Sequence, residues 1–177
     1  MADHVDRVLE QWAAQRPDVD VSPMAVIGRL SRLSRLVGLE LGRTFSAHGL
    51  DSASFDVLAT LRRNGRSLTP AELMKSAMVT SGAITQRLDR LQARGLVSRT
   101  PSEKDGRVVH VALTDEGREL IDRVLPDHVE TERRLLAALS ETRQAALAGE
   151  LQELLESLGD SVEPTQQVGQ TGGTRVK

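Results

Sequence analysis

Val5, Val8, Leu9 and Trp12 fall at i, i+3, i+4 and i+7, the spacing of one helical face, and predict a helix from about Asp3 to Arg16. "PDVDVSPM" breaks the period and reads as a linker, with Ser22 as cap and Pro23 at the first position of the next helix. That helix runs to about His48 and keeps Val26, Leu30, Leu33, Val37 and Leu41 on one side, with Gly49 closing it. Asp51 or Ser52 then caps a helix through Phe55, Leu58 and Leu61 that ends near Asn64-Gly65. In "LTPAEL", Thr69, Pro70 and Glu72 form a capping box that starts a short helix ending near Ala77. A further helix spans about Thr80 to Gly95.

After Gly95 the period changes from helical to alternating. "LVSRT" and "VVHVAL" are β-prone, with Val109, Val111 and Leu113 on one face, and Asp105-Gly106 between them is a hairpin turn signal. Thr114 caps a long helix with Asp115 and Glu116 in its first turn, and Pro126 inside it predicts a kink. A last helix from Ser140 carries Leu147, Leu151, Leu154, Leu155 and Leu158. The tail from Ser161 has no period and reads as disordered. The expected organisation is an extra helix and linker over 1–21, a main domain over 22–160, and a tail over 161–177. The fold class is mainly α with a small β wing, a helix-turn-helix followed by a two-stranded hairpin.

Composition narrows this reading. Aromatics are 2% of the chain, so Leu, Val, Ile and Ala must build the core, which suits packed helices. The chain contains 0 cysteines, which excludes disulfides, a thiolate nucleophile and a cysteine zinc site. No apolar run is long enough for a bilayer and no signal peptide is visible, so a cytoplasmic protein is expected. His4, His48, His110 and His128 are dispersed, and there is no glycine-rich phosphate loop. Nothing assembles into a catalytic constellation, so no enzyme and no cofactor are expected.

The formal net charge of −2 alone argues against a nucleic-acid binder, but its distribution does not. Residues 80–107 carry six basic and three acidic side chains, whereas 115–163 carry thirteen acids and five arginines. On a wheel with Ile84 at zero, Leu88 and Leu91 lie within about 40° of it and make the buried stripe. Gly82, Thr85, Gln86 and Asp89 fall on the opposite face, small and polar as a helix entering a major groove must be. Thr80, Ser81, Thr85, Gln86 and Arg90 are candidate contacts to phosphates and base edges; Lys104 and Arg107 at the hairpin tip would reach an adjacent groove, and Arg99 follows the helix. Arg87 flanks the buried stripe, better placed to bridge into the protein body than to read bases. An ordinary surface helix with a solvated hairpin, in a helical interaction protein that binds no DNA, fits the same pattern.

"SFDVLATLRRNG", "LTPAELMKSAMVTSGAITQRLDRLQARGLVSR" and "DGRVVHVALTDEG" resemble the winged helix-turn-helix of the MarR family of bacterial regulators. The resemblance implies a homodimer joined through N- and C-terminal helices, bound to a pseudo-palindromic operator and released by a small anionic or phenolic ligand. The first helix with "EQW", the stretch "RPDVDVSPMAVIGRL" and "FDVL" resemble more closely the urate-responsive HucR/PecS-like branch. By that resemblance Trp12, Asp56, Arg87 and Arg99 form the ligand site, and repression is the default. Asp56 would hold Arg87 in the empty state, and a bound planar anion would take its place. Two features depart from the branch: the short loop "NGRS", and Asp105-Gly106-Arg107 where the branch tends to carry two arginines. Another carboxylate or phenolic ligand remains open.

Overall fold

The computed structural model describes residues 2–76, 84–102 and 108–160. Helices α1 (His4–Gln15), α2 (Met24–Ala47), α3 (Ser52–Asn64), α4 (Pro70–Ser76) and α5 (Ile84–Ala93) precede strands β1 (Val97–Pro101) and β2 (Val109–Leu113). Helices α6 (Asp115–Leu135) and α7 (Glu141–Ser157) follow. This is the mainly α fold with a two-stranded wing that the hydrophobic periods predict.

The caps explain most boundaries. Asp3 accepts from the backbone of Val5 and Asp6 at 2.7 and 3.0 Å, and Asp6 returns the bond to the Asp3 N–H at 2.8 Å. Asp51 caps α3 through the Ser54 N–H at 2.6 Å, and α3 ends on Gly65 in the left-handed region at φ 67°. The Thr69–Glu72 capping box starts α4 as expected, with Glu72 accepting from the Thr69 N–H at 2.7 Å. At α2 the expectation fails. Ser22 turns to Asp20, 3.1 Å from its hydroxyl, and α2 starts with Pro23 as its cap and no side-chain hydrogen bond. Asp20 accepts from both the Ser22 hydroxyl and, at 2.9 Å, the Ser22 N–H, which holds Ser22 in a turn before the helix. Helix α6 runs through Pro126 as a single element.

Two compact units emerge, Met1–Leu135 and Leu136–Lys177. In the first, α3 is the hub, packed by α2, α4, α5, β2 and α6. Its buried Val57, Leu58 and Leu61 meet Leu68, Leu73, Leu88, Leu91 and Val111 in one core. The wing pairs antiparallel from Val97↔Leu113 to Pro101↔Val109, and Leu68 adds a bridge to Val111. Of the predicted alternation on β2, Val111 reaches full burial while Val109 and Leu113 are half-buried. In the second unit, Ser140 caps α7 and none of the helix's residues is buried.

The stripe predicted on α2 is covered in part, with Leu30, Val37 and Leu41 half-buried and Leu41 against the core. Val26 and Leu33 are 58% and 55% exposed, and Phe45 is the only buried residue of the helix. Helix α1 covers a different part of α2, where Arg29 forks onto Asp3 and Asp6 at 2.8 and 2.6 Å. Val5 seats against Gly28, at which even a β-carbon would come within 3.2 Å of it.

Candidate functional site

Helix α5 carries the buried stripe its periodicity requires. Leu88 and Leu91 are buried and Ile84 packs against the same core, while Thr85, Gln86, Asp89 and Arg90 are exposed. Thr80 and Ser81, proposed at the start of this helix, lie outside the described residues, as do Lys104 and Arg107 at the hairpin tip. The far end of α5 is anchored to the body, Arg94 donating to the Gly49 carbonyl at 2.9 Å. Thr114 ties the entry of α6 to the exit of α5, its hydroxyl donating to the Gly95 carbonyl at 2.6 Å.

Arg99 is turned inward. Its Nη1 meets Asp89 Oδ1 at 2.7 Å, and its Nη2 donates to the Thr85 carbonyl at 3.2 Å. Arg87 is half-buried on the flank of α5, as its wheel position implies. Burial pushes the Asp51 carboxyl up, but bonds from the Ser54 backbone and side chain and the charges of Arg87 and Arg90 outweigh it and hold Asp51 below the usual carboxylate range. Asp51 is thus a negative charge facing α5 that sequence reasoning treated only as a helix cap.

Asp56 is 9% exposed and lines a cavity of about 660 Å³ walled by α2, α3 and α6. Phe45 and Phe55 stack in this wall with centroids 4.2 Å apart, and the His128 ring lies 4.7 Å from Phe55. Arg62 and Asp122 close one side as a fork at 2.7 and 3.3 Å, and that guanidinium holds the Asp122 carboxyl below its ordinary range. Arg63, Asp122 and Glu132 add further polar groups to a lining dominated by apolar surface. Such a space, with few charges placed at its edge, suits a small planar ligand. Trp12 and Arg87 do not line it. Trp12 is 43% exposed on α1, which packs on α2. The chain therefore brings Asp56 into a cavity without joining Trp12 to it. The sequence does not mark the cavity because His128 lies far from Phe45 and Phe55 along the chain; the one available signal was Phe55 on the predicted apolar face of α3.

Among the described residues there is no group of three or more His, Asp or Glu able to hold a metal ion, and no helix is long and apolar enough to cross a membrane.

Comparisons with known proteins identify this arrangement. A profile of the MarR family matches residues 48–108, from the end of α2 to the wing. The HTH-type transcriptional regulator PecS of Dickeya dadantii (strain 3937) is 44% identical over 156 residues, which span 85% of this chain and 94% of PecS. The HTH-type transcriptional repressor MdtR of Bacillus subtilis (strain 168) is 33% identical over 63% of this chain and 72% of MdtR. Among solved structures, a mutant of MarR from E. coli complexed with operator DNA matches with a TM-score of 0.67 at 28% identity, over 77% of this chain and 96% of that one. AbsC, a MarR family transcriptional regulator from Streptomyces coelicolor, matches the fold with a TM-score of 0.70 at 24% identity, over 81% of this chain and 97% of AbsC. The chain belongs to the MarR family and is a DNA-binding transcriptional regulator.

Proposed function

We propose that this regulator is a homodimeric repressor that leaves a pseudo-palindromic operator when a small anion binds, and that the anion is urate. The observation that carries the reading is the place of Arg87. It lies on the flank of the DNA-reading helix, half-buried and facing the negative charge of Asp51, with Asp56 buried on the same α3. A planar anion that engages this guanidinium changes the partner of a residue fixed to α5, and α5 must shift with it. By the resemblance to the urate-responsive branch Trp12 would supply an aromatic face, and Arg99 takes part through the helix it grips. The extent of likeness to PecS, over nearly its whole length, supports assigning the chain to the urate-responsive branch. An allosteric coupling of about 1–3 kcal/mol weakens operator binding about 5–150-fold.

Trp12 is the only tryptophan of the chain, so its fluorescence reports on urate directly once urate's own absorption is corrected. Saturable quenching in the wild type that disappears in Arg87→Ala is the expected result. Quenching that survives Arg87→Ala removes the arginine from the site, and no saturable change removes urate.

The apolar, aromatic character of the α2–α3–α6 cavity favours a second reading, an aromatic carboxylate or phenolate held there beside Arg62 and Arg63. Ala59 lines this cavity, so Ala59→Leu fills it. Operator release by hydroxybenzoate that is lost in Ala59→Leu but kept in Arg87→Ala selects this reading over urate.

A further inference from the structure

Arg99 is the third residue of β1, opposite Val111 in the register and two residues from the buried Val97. Strand alternation puts it on the same face as Val97, turned toward the body of the protein. Its side chain is accordingly only 24% exposed, against 58% for the Asp89 carboxylate it meets. The guanidinium reaches two acceptors at once, Asp89 Oδ1 and the Thr85 carbonyl, at 2.7 and 3.2 Å. Thr85 and Asp89 are one turn apart on α5. A rigid fork held at two points along a helix fixes the tilt of that helix as well as its position.

Asp89 makes little sense on a DNA-reading face as an isolated charge. It shares the exposed face of Thr85 and Gln86, where a free carboxylate would oppose phosphate. Paired with Arg99, its charge is compensated and turned to a mechanical use.

We propose that Asp89 and Arg99 form a strut that sets the angle between the recognition helix and the wing. Arg99 acts on the operator as a positioning residue, through α5, and not as a phosphate contact. Asp89, absent from every contact expected of the DNA-reading face, is the functional partner. The strut rests on the DNA binding of the family and is independent of which ligand releases it.

The test uses the full chain and an operator duplex that the wild type selects from a random-sequence pool, with affinity measured across a salt series. Asp89→Asn and Arg99→Gln are each expected to weaken binding by about three- to thirtyfold, and the double variant by no more than either alone. The slope of log affinity against log salt stays at the wild-type value in all three. Arg99→Lys keeps the charge but loses the fork, and is expected to bind as weakly as Arg99→Gln. Thermal melting of each variant guards against loss of the fold, and Arg99→Lys, the mildest change, remains informative if Arg99→Gln melts. The proposal is overturned by an Asp89→Asn variant that binds DNA more tightly. It is equally overturned if Arg99→Lys retains wild-type affinity while Arg99→Gln loses about 0.9 of slope, the signature of one lost phosphate contact.

Discussion

The winged lobe and the α1–α2 arm are built from the same aliphatic residues and end in opposite states. In the lobe, Leu58, Leu68, Leu73, Leu88, Leu91 and Val111 are all at 1% exposure or less. On the arm, Val26, Ile27, Leu33, Leu36 and Leu39 of α2 lie open. A contiguous set of large apolar side chains left open on one helix marks a surface that is covered in the assembled protein. The lobe is complete within one chain; the arm is complete only in the homodimer proposed above. Each region therefore fails differently when its packing is disturbed, and mutations separate them.

The largest effect is expected at the joint that fixes the lobe to α6. Gly117 is buried, and a β-carbon there would sit 1.9 Å from the Leu96 carbonyl oxygen. That oxygen belongs to backbone already engaged by the Thr114 N–H at 3.2 Å, so neither side can yield cheaply. Gly117→Ala is expected to cost at least about 3 kcal/mol, read as a fall in the midpoint of urea unfolding. A stability change below about 1 kcal/mol would mean the close approach is not real. Leu88→Ala, inside the lobe's core, is expected to cost about 2–5 kcal/mol whatever the protein concentration.

Leu33→Glu tests the other half of the comparison. Leu33 is 55% exposed, so the substitution leaves the isolated chain's packing nearly intact. Buried in a dimer, the same side chain contributes about 1.5–3 kcal/mol, so its loss raises the dimer dissociation constant about 10–100-fold. Sedimentation over a concentration series reads this directly. An unchanged dissociation constant places the interface elsewhere and leaves the arm's exposure without an explanation. Operator binding falls with the dimer, since each half-site needs its own reading helix.

The same contrast explains what was legible in the sequence. The lobe's elements could be read because each is set by local signals: the Thr69–Glu72 box, the Asp51 cap, the Ile84–Leu88–Leu91 stripe and the alternation around Val111. Those signals act over a few residues, and the core they imply closes within one chain. Long-range pairings left no such trace. Nothing near Arg99 marks it as the partner of Asp89, and nothing near His128 marks it as a wall of the cavity with Phe45 and Phe55. The α2 stripe was visible as a stripe, but a period does not say which molecule covers it. The expected Ser22 cap is replaced by a turn in which Asp20 accepts from both the Ser22 N–H and its hydroxyl, a pairing that the Ser22-Pro23 start signal does not show.

The smallest expected effect concerns how the lobe holds its shortest helix. Helix α4 has 7 described residues, too few to persist alone, so its start must be pinned by its cap. Glu72 accepts from the Thr69 N–H, is paired with Arg66 at 2.9 Å, and accepts from the Thr69 hydroxyl at 3.0 Å. In that order these bonds lower its carboxyl from the usual 4.5 to about 2. A depressed folded-state value stabilises the protein above the unfolded-state value and loses that contribution as pH falls toward the folded one. Glu72→Gln should therefore unfold at lower urea than the wild type at neutral pH, by a small margin because the group is solvent-screened. The gap should narrow once pH drops below about 4.5 and close near about 2. Because the contribution belongs to the lobe and not to the arm, the dimer dissociation constant should stay the same in this variant. A gap that stays constant between pH 7 and 3 would mean that the carboxylate's charge contributes nothing and that shape alone starts the helix.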